Sequence, residues 1–164
     1  TQLGLLDTTQ FAALTGTQLS GLSATQVAGL TTTQVTALTT TQVAGLTSTA
    51  LGGLTTTQAT ALTSTDLAVL TTTQVKGLTT SQLNVLDTTQ LGSLTSTLVG
   101  ALSTTQVSGL STTQVTALTS TQVGGLTTTQ LASLSTTSLN ALDTTDIEMM
   151  GRTSAKSPLS ALLK

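Results

Sequence analysis

Residues 30–45 read Leu30-Thr31-Thr32-Thr33-Gln34-Val35-Thr36-Ala37-Leu38-Thr39-Thr40-Thr41-Gln42-Val43-Ala44-Gly45, two copies of one eight-residue unit. The spacing runs through almost the whole chain: Leu recurs at every eighth position from Leu6 to Leu142, and Met150 takes the next place. Three residues after each Leu stands Thr, from Thr9 to Thr145, with Ser81 as the exception. Four after it stands Gln in thirteen of eighteen units, the departures being Ala50, Asp66, Leu98, Ser138 and Asp146. Five after it the residue is always apolar, as at Phe11, Val27, Leu67, Val107 and Ile147. The sixth place is variable and often polar (Thr36, Lys76, Asn84), which puts it toward water, and the seventh is mostly Gly or Ala, which invites close packing there.

A period of eight fits no single regular element. At about 100° per residue the Leu column of one long α-helix would drift about 80° with each repeat and wander round the whole surface. In one continuous strand, Leu and the apolar residue five later fall on opposite faces. Each unit therefore contains a short element and a bend. The local chemistry identifies a helical turn: Thr31 with Gln34, Thr39 with Gln42 and Ser111 with Gln114 have the spacing of a capping box, in which the N-cap hydroxyl and the N3 side chain satisfy each other's backbone N–H. Leu30 with Val35 and Leu110 with Val115 supply the flanking hydrophobic staple. Asp7, Asp87 and Asp143 replace Thr at the cap, where Asp is favoured, whereas strands disfavour it. Gly29, Gly45 and Gly109 stand where a left-handed residue would end the turn.

One octad buries only a Leu and one further apolar side chain, too little to offset the ordering of eight residues, so octads must stack. The expected fold is a repeat solenoid, mainly α, with one capped helical turn per octad and Leu and Val lining a continuous interior. The near-invariant third Thr is a candidate for hydrogen bonds between coils. The alternative is a Thr-rich β-solenoid, which the β-propensity of Thr and Val favours. Two or three octads per coil are both compatible with the spacing of Ala50, Leu98 and Asp146.

The repeat solenoid is expected over 1–150 and a non-repeat cap or docking tail over 151–164. The tail holds Arg152, Lys156 and Lys164, and Ser157-Pro158 opens a candidate short helix carrying Leu159, Leu162 and Leu163. Thr1-Gln2-Leu3-Gly4-Leu5 is already in register, which reads as a piece of a longer array or a subunit that abuts another.

Composition narrows the function. The 164 residues include no His, Cys, Trp or Tyr, one Phe, and only 6% charged residues. No thiol nucleophile, ordinary metal site or group titrating near neutrality is available, so no enzyme activity, cofactor or catalytic residue is expected. A net charge of -2 offers no surface to neutralise phosphates, so nucleic acid is not an expected partner. Thr, Ser and Gln interrupt every apolar run, so membrane insertion is not expected. Asp143, Asp146 and Glu148 bear oxygen ligands, but cap positions account for two of them and no metal site is assigned. Gly52-Gly53 and Gly124-Gly125 lack the strand and lysine of a phosphate loop. Neither Asn84 nor Asn140 lies in a glycosylation acceptor, and the abundance of Thr and Ser is only a compositional hint of O-linked sugars.

The octads resemble the Thr/Gln-rich eight-residue repeat tracts of large bacterial secreted or surface proteins, over roughly residues 1–148. That resemblance implies an extracellular or cell-surface fibre, filament or adhesin stalk whose partners are copies of itself or further repeats end to end. The alternative is an ice- or polysaccharide-surface-binding solenoid that uses a regular Thr array. The two differ in where Thr points: hydroxyls consumed as caps and inter-coil bonds leave no array, whereas exposed ranks would.

Overall fold

In the computed structural model, which describes residues 2–148, every octad after the first few residues forms one short helical turn. A 3-10 turn at Gln2–Leu5 precedes α1 (Thr8–Ala12), α2 (Gly16–Ser20) and α3 (Ala24–Ala28), which make the first coil. The second coil holds α4 (Thr32–Thr36), α5 (Thr40–Gly45) and α6 (Ser48–Gly52), and the third α7 (Thr56–Thr60), α8 (Ser64–Ala68) and α9 (Thr72–Gly77). The fourth contains α10 (Thr80–Asn84), α11 (Thr88–Gly92) and α12 (Ser96–Ala101), and the fifth α13 (Thr104–Ser108), α14 (Thr112–Thr116) and α15 (Ser120–Val123). The last described coil has α16 (Thr128–Ser133), α17 (Thr136–Asn140) and a helical stretch over 144–148. No strand occurs among the described residues, so the coil is helical and not a β-solenoid.

Helices three apart in the chain pack on one another, as α2 on α5, α3 on α6 and α6 on α9, so one coil comprises three octads. The result is a three-sided helical solenoid. Its interior is a single cluster in which the Leu column (Leu30, Leu38, Leu46 and onward) meets the apolar residue of each turn, such as Val35, Val43 and Leu51. The sixth-position residues Thr36, Lys76 and Asn84 are exposed, as their polarity requires.

The capping box forms as the spacing implies. Thr31 N–H donates to Gln34 Oε1 at 2.9 Å while Gln34 N–H donates to Thr31 Oγ1 at 3.1 Å. Asp7 and Asp87 cap in the same way. The exit of each turn differs from the left-handed stop expected of glycine: Gly29 has φ -85° and ψ -1°, and no described glycine has positive φ. The turn closes in right-handed geometry, with Leu30 N–H donating back to the Val27 carbonyl at 3.0 Å. The next Leu then carries the chain out extended, as Leu46 does at φ -71° and ψ 140°.

Glycine is needed for a different reason, the approach of neighbouring coils. A Cβ on Gly77 would meet Ser48 Cβ at 2.6 Å, and one on Gly53 would meet Ala24 Cβ at 2.6 Å. Gly45 and Gly16 face one another backbone to backbone. In each pair the seventh residue of one coil sits on the second residue of the coil before. Where that earlier residue is Thr32 or Thr88, the seventh place carries Ala61 or Ala117 instead of Gly. Gly109 in turn lies against Thr80, and the expected close packing at the seventh position is what the structure contains.

The bond between coils belongs to Gln, not to the third Thr. Gln58 Nε2 donates to the carbonyls of Val27, Ala28 and Leu30 at 3.0, 3.3 and 2.6 Å. Gln74, Gln106, Gln114 and Gln122 repeat the arrangement, and Gln82 reaches the carbonyls of Leu51 and Leu54. These carbonyls lie at the C-terminal end of a helical turn, where backbone acceptors have no partner within the helix. One amide therefore completes the N-cap of its own turn and satisfies the open end of the turn beneath. The third Thr cannot do this, because at the second helical position its side chain projects outward: all the described residues of that column are exposed.

Candidate functional site

With the core lined by Leu and Val and the inter-coil bonds made by Gln, the outer surface is the only place where the repeat presents chemistry. Its polar positions divide into two kinds. The cap hydroxyls are consumed: they accept from the N3 backbone N–H, as Ser111 Oγ does from Gln114 at 3.2 Å. Several also donate, Thr39 Oγ1 to Gln42 Oε1 at 3.2 Å and Thr71 Oγ1 to Gln74 Oε1 at 3.1 Å. Some sixth-position hydroxyls fold back on their own turn, Thr36 Oγ1 donating to the Thr32 carbonyl at 3.0 Å.

The third-position hydroxyls are exposed and make no hydrogen bond among the described residues. Because octads stack three to a coil, these residues stand in ranks along each side. One rank is Thr9, Thr33, Thr57, Ser81, Thr105 and Thr129. On this side the second-position residues Thr8, Thr32, Thr56, Thr104 and Thr128 are exposed as well and Thr80 is half-buried, whereas Ser48, Ser96 and Ser120 on another side are half-buried, the first two against Gly77 and Gly125. The first side is therefore the broadest hydroxyl- and methyl-bearing surface of the solenoid.

The charged residues do not gather. Asp143 and Asp146 serve each other as cap and N3 partner, Asp146 N–H donating to Asp143 Oδ1 at 2.8 Å and Asp143 N–H to Asp146 Oδ2 at 3.3 Å. Glu148 is exposed, and no group of three His, Cys, Asp or Glu poised to hold a metal occurs among the described residues. Gly52 and Gly53 serve coil packing, and Gly125 lies against Ser96. Shallow depressions lie beside Leu3, Leu22 and Gln26, and beside Lys76, Ser103 and Gln130. No described helix is long and apolar enough to cross a membrane. The tail over 151–164, with Arg152, Ser157, Pro158 and Leu159, lies outside the described residues.

The second duty of Gln was missed in reading the sequence, although a signal for it exists. A capping box accepts Glu as readily as Gln, yet thirteen octads carry Gln and none carries Glu. Only the amide has a donor left over for the next coil.

Comparison with known proteins agrees with the repeat. No curated protein and no solved structure matches the chain. Residues 3–40, 61–96 and 99–128 match the ALTTAQ repeat, together more than half of the chain. The coil continues through the unmatched stretches 41–60 and 97–98, which hold the departures Ala50 and Leu98, both buried in the core. On this match and this uniform coil, the chain belongs to the ALTTAQ repeat family.

Proposed function

We propose that this chain is a structural repeat segment, a stiff rod within a fibre, filament or adhesin stalk at a bacterial cell surface, and that it performs no catalysis. The observation that carries the reading is the recurring tie between coils: Gln34 to Leu6 and Gln130 to Leu102 use the same amide-to-carbonyl bond at 2.8 and 2.5 Å, at opposite ends of the described solenoid. A contact that recurs in one register has no preferred number of coils, so further repeats of the same kind add end to end. With so few ionic groups, the stacking is governed by apolar burial and amide–carbonyl bonds and should respond weakly to salt. Electron microscopy of the native material, with sedimentation of this chain, tests the reading. Elongated particles built of longer repeat arrays are expected, and compact, monodisperse particles from the native source with no such array would refute it.

A second reading rests on the exposed third-position ranks. Free, regularly placed Thr hydroxyls and methyls favour attachment to an ordered surface such as ice or a polysaccharide. Growth of ice crystals in the presence of the chain, and of a variant with Thr33, Thr57 and Thr105 replaced by Lys, distinguishes it: inhibition lost in the variant would favour this reading over the rod.

A further inference from the structure

Asp66 occupies the Gln position of α8 and is 2% exposed. It keeps the capping box, Oδ2 accepting from Thr63 N–H at 2.9 Å and from Thr63 Oγ1 at 2.7 Å. It cannot keep the tie to the coil beneath, since its side chain is one methylene shorter than Gln and ends in acceptors. In the flanking octads Gln58 and Gln74 place Nε2 against three carbonyls each, Gln74 at 2.9, 3.4 and 2.8 Å from Val43, Ala44 and Leu46. The same register puts the carbonyls of Val35, Thr36 and Leu38 before Asp66. No donor reaches the Leu38 carbonyl, Asp66 Oδ1 has no hydrogen-bond partner, and Asp66 forms no ion pair among the described residues. No fully buried side-chain polar atom among the described residues is left without a partner, so the unpartnered Oδ1 keeps some accessible surface. By register with the Gln octads, a buried carboxylate replaces the amide that would meet these carbonyls, and among them only Val35 accepts a backbone N–H, from Leu38 at 3.2 Å and from Ala37.

We propose that this cradle is a site for one desolvated monovalent cation of potassium size, held by Asp66 and the carbonyls of Val35, Thr36 and Leu38. Charge and size both favour it. One positive charge balances the single carboxylate, and the carbonyls belong to the end of α4, where the partial charge of a helical turn is negative. In the neighbouring octads the carbonyl oxygens stand 2.6 to 3.4 Å from the Nε2 of Gln58 and Gln74, the atom whose place a cation would take. That is wider than the roughly 2.0–2.1 Å of magnesium or 2.3–2.6 Å of calcium. Rings of backbone carbonyls are able to replace the hydration shell of potassium. The other departures lack the pairing: Ala50 and Leu98 carry no charge, and Ser138 Oγ accepts from Ser135 at 2.9 Å. Asp146 shares its octad with a second carboxylate, Asp143, so Asp66 is the isolated case.

Thermal unfolding of the whole chain in potassium chloride and in choline chloride of equal ionic strength tests the site, with D66Q as the paired variant. The wild-type midpoint should climb by a few degrees per tenfold rise in potassium once the site fills, with no such climb in choline. In D66Q the Gln amide should take the cation's place, so the variant should melt higher than wild type in choline and show no potassium response. Equal wild-type midpoints in the two salts would overturn the proposal, leaving the gap to water, and so would a potassium response retained in D66Q.

Discussion

The side-chain amide of Gln58 donates to the carbonyl of Leu30 at 2.6 Å across neighbouring coils, while its own oxygen accepts from Thr55 N–H at 2.7 Å. Cutting the side chain at Gln58→Ala removes both bonds and strands the buried Leu30 carbonyl. The expected loss is about 2 to 4 kcal/mol, read as a lowered urea midpoint. Gln58→Glu should cost more than the Ala change, since it keeps the cap but sets a buried carboxylate against carbonyl oxygens. A Glu variant as stable as wild type would show that the inter-coil donor is unimportant.

Glycine substitutions should split by neighbour and not by backbone angle, because no described glycine has positive φ. A methyl at Gly77 runs into Ser48, whereas nothing lies within 4 Å of a Cβ at Gly92. Gly77→Ala should destabilise by about 1 to 3 kcal/mol through overpacking. Gly92→Ala should stabilise by about 0.4 to 1 kcal/mol by reducing the freedom of the unfolded chain. Denaturation of the two variants side by side decides the matter; equal effects would contradict the packing account.

The two kinds of Thr should also separate. Thr31 accepts the Gln34 N–H at 3.1 Å, and Thr33, two residues on, makes no side-chain bond. Thr31→Ala should cost about 0.5 to 2 kcal/mol as a lost N-cap. Thr33→Ala should stay within about 0.5 kcal/mol of wild type. Calorimetry of the pair would expose an error if Thr33 proved the costlier site.

A charge placed in the Leu column should break stacking locally. Leu70 and Leu110 are both buried, while Lys76 and Asn84 are exposed. Leu70→Asp or Leu110→Asp should cost about 3 to 5 kcal/mol as a buried, unpaired charge. Lys76→Ala or Asn84→Ala should shift stability by about 0.5 kcal/mol or less. Circular dichroism during denaturation measures both, and equal tolerance would mean the Leu column is not the core.

The sequence by itself determined the unit of this protein, because everything that makes the unit acts within eight residues. Thr31 and Gln34 meet across one turn, Leu30 and Val35 flank it, and Asp87 substitutes at the cap for a reason that holds in any isolated helix. Only the tertiary structure decided how many octads make a coil, since the bonds that fix it join residues 28 and 31 apart, such as Gln58 to Leu30 and to Val27. Contacts at that separation impose no local periodicity; their trace is the preference for Gln over Glu and the matching of Gly77 to Ser48. The same distance explains why glycine is not the left-handed stop that its place in the octad suggests: its own turn permits that conformation, but the backbone of the neighbouring coil supplies the actual constraint. It also explains the third Thr, whose outward direction follows from the turn, while its freedom to meet a partner follows from Gln having already taken the inter-coil bond.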